Sequence, residues 1–288
     1  MLNALRAEYF KVSRRRMTYI LMASAMALVL LFYVILWLRV REGADSPTLS
    51  SQLAWLALRD GLAFSNVAPY GLALERLFAT LVCVIFAGTM MGNEYDWRTV
   101  GVISARGVRR WHFLGAKLIS SLVFTLITVV LCLGVAMIAS AWFSYLYGLP
   151  FGDASIGRFL HLFASIARTW FVILPFVFLA LLFATQWRSA GQAVGAALGF
   201  YFIEGIFTGI LTSSKGMLSS VPDFLFNINV DAIIRGNGII GTANSGGGPF
   251  FVAAEGPPGW RAFLILSMWL VVLGTAAFWR FQRRDIQE

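Results

Sequence analysis

From Leu118 to Gly152 the chain runs 35 residues without an Asp, Glu, Lys or Arg. A soluble helix or strand rarely needs so long an uncharged run. A bilayer does: its hydrocarbon core of ~30 Å takes about 20 helical residues at about 1.5 Å each. Similar runs recur, and they predict six spans: Met17–Trp37, Tyr70–Met91, Phe113–Trp142, Leu162–Thr185, Gly191–Thr212 and Trp260–Arg280. The third exceeds what a crossing requires, so it is expected to tilt or to project beyond the bilayer. The first is too long for the apolar core of a signal peptide, and no small-residue cleavage site follows it, so it is expected to be retained.

Composition agrees. Of 288 residues, 59% are hydrophobic and only 13% charged, against roughly 45–50% and about 25% in soluble domains. The expected fold is an all-α integral membrane protein of six transmembrane helices, with no soluble domain and no internal repeat.

The placement of charge predicts the orientation, because basic residues mark the cytoplasmic ends of spans. Residues 1–16 carry Arg6, Lys11, Arg14, Arg15 and Arg16; the connection between spans two and three carries Arg98, Arg106, Arg109 and Arg110, with Lys117 just inside span three. Arg188 joins spans four and five, and Arg280, Arg283 and Arg284 end the chain. With both termini inside, the whole net charge of +9 falls on the cytoplasmic side. The basic balance then needs no nucleic acid to explain it. The expected location is a bacterial plasma (inner) membrane.

Residues 1–16 are too polar to span. Leu2, Leu5, Tyr9 and Val12 recur at helical spacing, which predicts an amphipathic interfacial helix. Residues 17–288 form the transmembrane domain. Its first outer loop holds "SSQLAWLALRDGLAF", a candidate surface helix. Its long outer loop, 213–259, holds "SSVPDFLFNINVDAIIR", apolar enough to dip into the membrane interface, followed by glycine- and proline-rich irregular chain.

The segment 92–112 between spans two and three is polar, basic and longer than a hairpin needs. It holds Glu94, Asp96, Trp97, Arg98, Thr99, Arg106, Arg109 and Arg110. Arg and Trp anchor protein interfaces, and Val100, Ile103 and Val108 offer a docking face; this stretch alone favours the plainer reading, a positive-inside connector with interfacial tryptophans. The order Glu94, Thr99, Ser104, Arg109, Lys117 resembles the ABC-2 family of ABC transporter permeases. Arg98 stands where that family commonly has glycine, and Gly107 where proline is common. The six-span layout, the N-terminal "elbow" helix and the long loop before the last span resemble it too. The resemblance implies an ABC-2, type V exporter-like architecture, a coupling helix within 92–112, and two partners. One is a separate ABC ATPase subunit, which would hold the Mg-ATP; the other is a second permease copy or paralogue.

No G-x-x-x-x-G-K-[ST] phosphate loop, H-E-x-x-H or G-x-S-x-G occurs, so neither an enzyme nor a resident cofactor or metal is expected of this chain. The other candidates are charges inside spans: Glu75, Arg76, Arg168 and Glu204, all at similar depth. Intramembrane charges face the bundle interior or a cavity. Two readings stay open: an interhelical ion-pair layer among these four, or the polar lining of a substrate cavity. Cys83 and Cys132 both lie in spans and read as small packing residues. Two further function classes compete with the permease: a stand-alone secondary transporter or channel, and a non-transporting immunity or scaffold protein.

Overall fold

The computed structural model describes residues 2–42, 49–97, 99, 109–152, 155–212, 222–238 and 256–283. Among them there is no strand. Helix α1 (Leu2–Arg14) turns at Arg15 into α2 (Arg16–Glu42); then come α3 (Leu49–Leu62), a 3-10 turn at Phe64–Asn66 and a π turn at Val67–Gly71. These lead into α4 (Leu72–Asp96), α5 (Arg110–Tyr147), α6 (Ile156–Trp187), α7 (Ala190–Thr212), the short α8 (Phe226–Ile234) and α9 (Gly259–Arg283).

Six of these elements are long and apolar enough to cross a membrane: α2, α4 with its lead-in from Phe64, α5, α6, α7 and α9. A chain in lipid must satisfy its backbone internally, and helices do so within one segment. The protein is therefore a multi-pass helical membrane protein. Each predicted span is found, and each is longer than its apolar stretch. Helix α5 reaches Tyr147 and α6 starts at Ile156, so most of the loop expected at 143–161 is helix. Hydropathy reads the buried apolar length, whereas the hydrogen-bond ladder continues until a cap stops it. Gly148 at φ +60° stops α5, and the Ser155 hydroxyl accepts from the Arg158 amide to open α6. Pro175 is taken into the middle of α6.

Helix α4 is the axis of the bundle, lying against α2, α5, α6 and α7. It approaches α7 through glycines: a Cβ on Gly92 would lie 2.3 Å from the Ala190 Cα, and one on Gly88 2.7 Å from Val194 Cγ2. Small residues let membrane helices close to backbone contact in this way. The sandwich of α4 and α5 carries Phe86 stacked on Phe124, ring centres 3.7 Å apart.

The short helix α8 returns into the bundle beside α6, α7 and α9. Phe226 is its wedge, edge-on to Phe176 at 5.3 Å and to Trp269 at 5.2 Å. The dipping helix expected in the long outer loop is thus present; residues 213–221 and 239–255 of that loop lie outside the described residues. Arg110, at the start of α5, donates to the Gln282 carbonyl at 2.9 Å, so the end of α9 shares one end of the bundle with α1. That end is the α1 end of the bundle, and the opposite one its far end.

Candidate functional site

Two polar constellations stand out in this apolar bundle, one near each end of α4. Glu94 and Glu75 are 19 residues apart on the helix, about 28 Å along its axis.

The first is built on Lys117, near the start of α5. Its side chain is 0% exposed, which in an apolar bundle demands counter-charges. Its ammonium contacts Glu94 Oε1 at 3.1 Å, Glu8 Oε2 at 3.2 Å and the Met90 carbonyl at 3.2 Å. An ammonium has three N–H donors, and these three acceptor groups account for them. Glu94 is 1% exposed and also receives Lys11 at 3.0 Å and Arg15 at 3.7 Å. The Thr99 hydroxyl donates to the Glu94 carbonyl at 3.0 Å and to its carboxylate. Five charged groups from α1, the α1–α2 turn, α4 and α5 thus close one node, with two carboxylates set among three cations.

The node changes the reading of α1. Leu2, Leu5, Tyr9 and Val12 share a face by spacing, but Leu2 and Tyr9 are exposed and Glu8 is the buried residue of the helix. Helix α1 turns its Leu5, Glu8 and Val12 side inward because Lys117 draws Glu8 down. Leu2, Tyr9 and Phe10 are left outward, available to a membrane surface.

The residues singled out between spans two and three take different roles. Glu94 and Thr99 enter the node with Lys117, so Glu94 does not face outward to border a partner. Asp96 accepts from the Ala190 amide at 3.3 Å, placing a negative charge at the N-terminus of α7, where the helix dipole favours it. Trp97 is 60% exposed with the Arg15 guanidinium over its ring at 5.2 Å. Arg109 is exposed at the N-cap of α5, and Arg110 ties to α9. Arg98, Arg106 and the docking face Val100, Ile103 and Val108 lie outside the described residues.

The second constellation lies at the far end. Arg76 pairs with Asp231 of α8. Glu204 accepts from the Asn227 backbone amide at 2.9 Å and from the Asn227 side chain. Arg168 donates to the Gly236 carbonyl at 2.7 Å and to Asn237 Oδ1 at 3.3 Å. The four intramembrane charges therefore do not pair with one another: three of them reach to the returning segment 227–237. That segment supplies Asp231 and a run of carbonyl and amide groups at their depth, and helix-to-helix spacing alone hides it. Glu75 has none of these partners and is 0% exposed.

Sequence reasoning missed Glu8, Lys11 and Arg15 as partners of Glu94 and Lys117, and Asp231 and Asn227 as partners of the spans. Two signals existed. Glu8 is the one acid among the five cations of residues 1–16, and Asp231 is the one charge in "FLFNINVDAII". Among the described residues, no three His, Cys, Asp or Glu side chains converge as a metal ion would need. Cys83 and Cys132 are buried and not joined in a disulfide.

A family model described as "Protein of unknown function (DUF2705)" matches residues 66–287. The chain belongs to that family. No curated protein matches it.

Proposed function

We propose that this member of the family is the membrane permease subunit of an ATP-driven ABC exporter of ABC-2 type. In this reading a separate ATPase subunit holds the Mg-ATP, and the chain pairs with a second copy of itself or a paralogue. It sits in a bacterial plasma membrane with the α1 end, the basic end, in the cytoplasm. No nucleic acid takes part, and this chain performs no catalysis.

The observation that carries the reading is the Lys117 node. A motor that pushes on the connection between α4 and α5 needs a stiff base, or the push is lost in bending. Glu94 and Thr99 border that connection on one side and Lys117 on the other, and Glu8 adds α1 to the same base. Push on the connection is then delivered to α2, α4 and α5 together, as rigid-body switching requires. Trp97 and Arg109 are exposed beside it and supply the aromatic and cationic contacts for the partner. At the far end, α8 closes the bundle, held by Arg76, Glu204 and Arg168. It serves as the gate on the outer side.

The test is a tagged pull-down from native membranes in mild detergent, with mass spectrometry of whatever co-purifies stoichiometrically. A cytosolic protein carrying a phosphate loop, lost when Trp97 and Arg98 are both changed to Ala, is the expected result. A clean chain with no ATPase would sink the proposal. It would shift weight to a stand-alone secondary transporter, the reading favoured by one specific observation: Glu75, buried at membrane depth with no hydrogen-bond partner among the described residues. A chain that moves no solute in vesicles, with or without ATP, is a scaffold.

A further inference from the structure

Of the four intramembrane charges, Arg76, Arg168 and Glu204 have partners among the described residues, so Glu75 is the exception to explain. Both of its carboxyl oxygens are buried without a hydrogen-bond partner among the described residues, and so is the hydroxyl of Tyr33 on α2. The two belong to one place. The Tyr33 hydroxyl lies 3.2 Å from a Cβ built on Gly71, one helical turn before Glu75 and on the same face of the chain as it enters α4. Ala136 of α5 closes the same spot at 3.4 Å. Glu75 is thus wedged where α2, α4 and α5 meet.

None of the titratable groups around it is a cation. They are Tyr33 from α2, Cys83 about two helical turns further along α4, and Cys132 from α5. The adjacent cation, Arg76, projects about 100° away around the helix and is held by Asp231. Tyr201 of α7 faces Arg76 rather than Glu75. A buried carboxylate that receives neither a cation nor a hydrogen bond is the arrangement that proteins resolve by taking up a proton.

We propose that Glu75 is a proton-binding site of the bundle, its carboxyl held as the neutral acid at the junction of α2, α4 and α5 beside Tyr33. The ligand is a proton. It leaves to water, giving the carboxylate and a hydrated proton, only when α2 parts from α4 and water reaches the junction. Protonation state and packing of the first span are then one equilibrium: the neutral acid favours the packed bundle, and the ionised acid favours the opened one. The inference stands independently of the transport reading.

The test is infrared spectroscopy of the purified full-length protein in lipid nanodiscs at neutral pH, reading the carbonyl stretch of protonated carboxylic acids. The expected result is an absorbance present in the wild type, missing in Glu75→Gln, and slow to shift in heavy water. In Tyr33→Phe the band is expected to remain but to move, since the neighbouring hydroxyl is gone. Equal carboxylic-acid absorbance in wild type and Glu75→Gln would mean that Glu75 is ionised and would overturn the proposal. A band unmoved in Tyr33→Phe would overturn the Tyr33 part of it. Glu75→Met guards against a folding artefact. A neutral acid without partners is dispensable to folding, so Glu75→Met is expected to fold at least as well as wild type. Failure of both Glu75 variants to fold would count against the proposal.

Discussion

Lys117 and Glu94 meet at 3.1 Å across 23 residues of chain, with neither side chain reaching solvent. Replacing Lys117 by Met strands Glu94 and Glu8 as buried carboxylates, left with the less buried Lys11, 3.0 Å from Glu94 and 3.6 Å from Glu8, and with Arg15 at 3.7 Å from Glu94. Breaking a buried pair from one side costs about 3–5 kcal/mol. Thermal unfolding in detergent is expected to show a large destabilisation for Lys117→Met. It should be largely recovered in the triple change Glu8→Gln, Glu94→Gln, Lys117→Met. A destabilisation that persists in the triple variant would place the cost in packing rather than charge.

Lys11 touches the same carboxylate at 3.0 Å, but its side chain is 36% exposed. Solvent-screened pairs contribute about 1 kcal/mol or less. Lys11→Ala is expected to leave the unfolding temperature nearly unchanged, whereas Glu8→Ala should release α1. Hydrogen exchange over residues 2–14 reads the difference directly. Equal protection of α1 in both variants would contradict the hierarchy.

Gly92 and Gly134 should respond oppositely to alanine. Gly→Ala within a helix normally gains up to about 1 kcal/mol. A Cβ at Gly134 meets nothing within 4 Å, while one at Gly92 meets the Ala190 backbone at 2.3 Å. Gly134→Ala is expected to be neutral or mildly stabilising, and Gly92→Ala to cost stability by forcing α7 off α4. Folded yield and melting temperature, measured in parallel, decide it.

At the far end, the Arg76–Asp231 pair can be weighed by a double-mutant cycle. Arg76→Met and Asp231→Asn each leave the other charge beside the apolar core. Their combination is expected to be less harmful than the sum of the two, by about 1–3 kcal/mol. Additive losses would mean that α8 is held by Phe226 and the Glu204–Asn227 contact alone.

Orientation is open to direct labelling. Cys83 and Cys132 are buried and should resist membrane-impermeant thiol reagents. Cysteines introduced at the exposed positions Phe10 and Trp97 are expected to react only from the cytoplasmic face, and those at Ile156 and Phe159 only from the opposite one. Labelling of Phe10→Cys and Ile156→Cys from the same side would overturn the topology.

The membrane spans were legible because hydropathy is a one-dimensional property: the run around Leu118–Trp142 announces α5 without any knowledge of its neighbours. The ends were not, since Gly148 and Ser155 act through backbone geometry that apolar length does not register. Within the node, Glu94, Thr99 and Lys117 could be singled out from their order in the chain. Their convergence could not, because it depends on which way α1 rolls. Leu2 and Tyr9 suggested one face of that helix; the unmet charge of Lys117 selected another. Asp231 was hidden for a similar reason, being local in sequence to a loop and local in space to α4 and α7. Pairing distant segments by charge requires knowing which of them return to the same depth.

Helix α5 has 38 residues, about 57 Å of rod in a slab whose apolar thickness is about 30 Å. Treated as a beam pivoting at its middle, it has arms of about 28 Å, and a tilt of about 10° swings each tip through about 5 Å, close to one helical pitch. Because Lys117 is fastened near one tip, its neighbours α1 and α4 cannot stay still when the beam tips. The displacement at that end must appear, reversed in direction, where α5 meets Phe64 through Ser144, on the other side of the membrane.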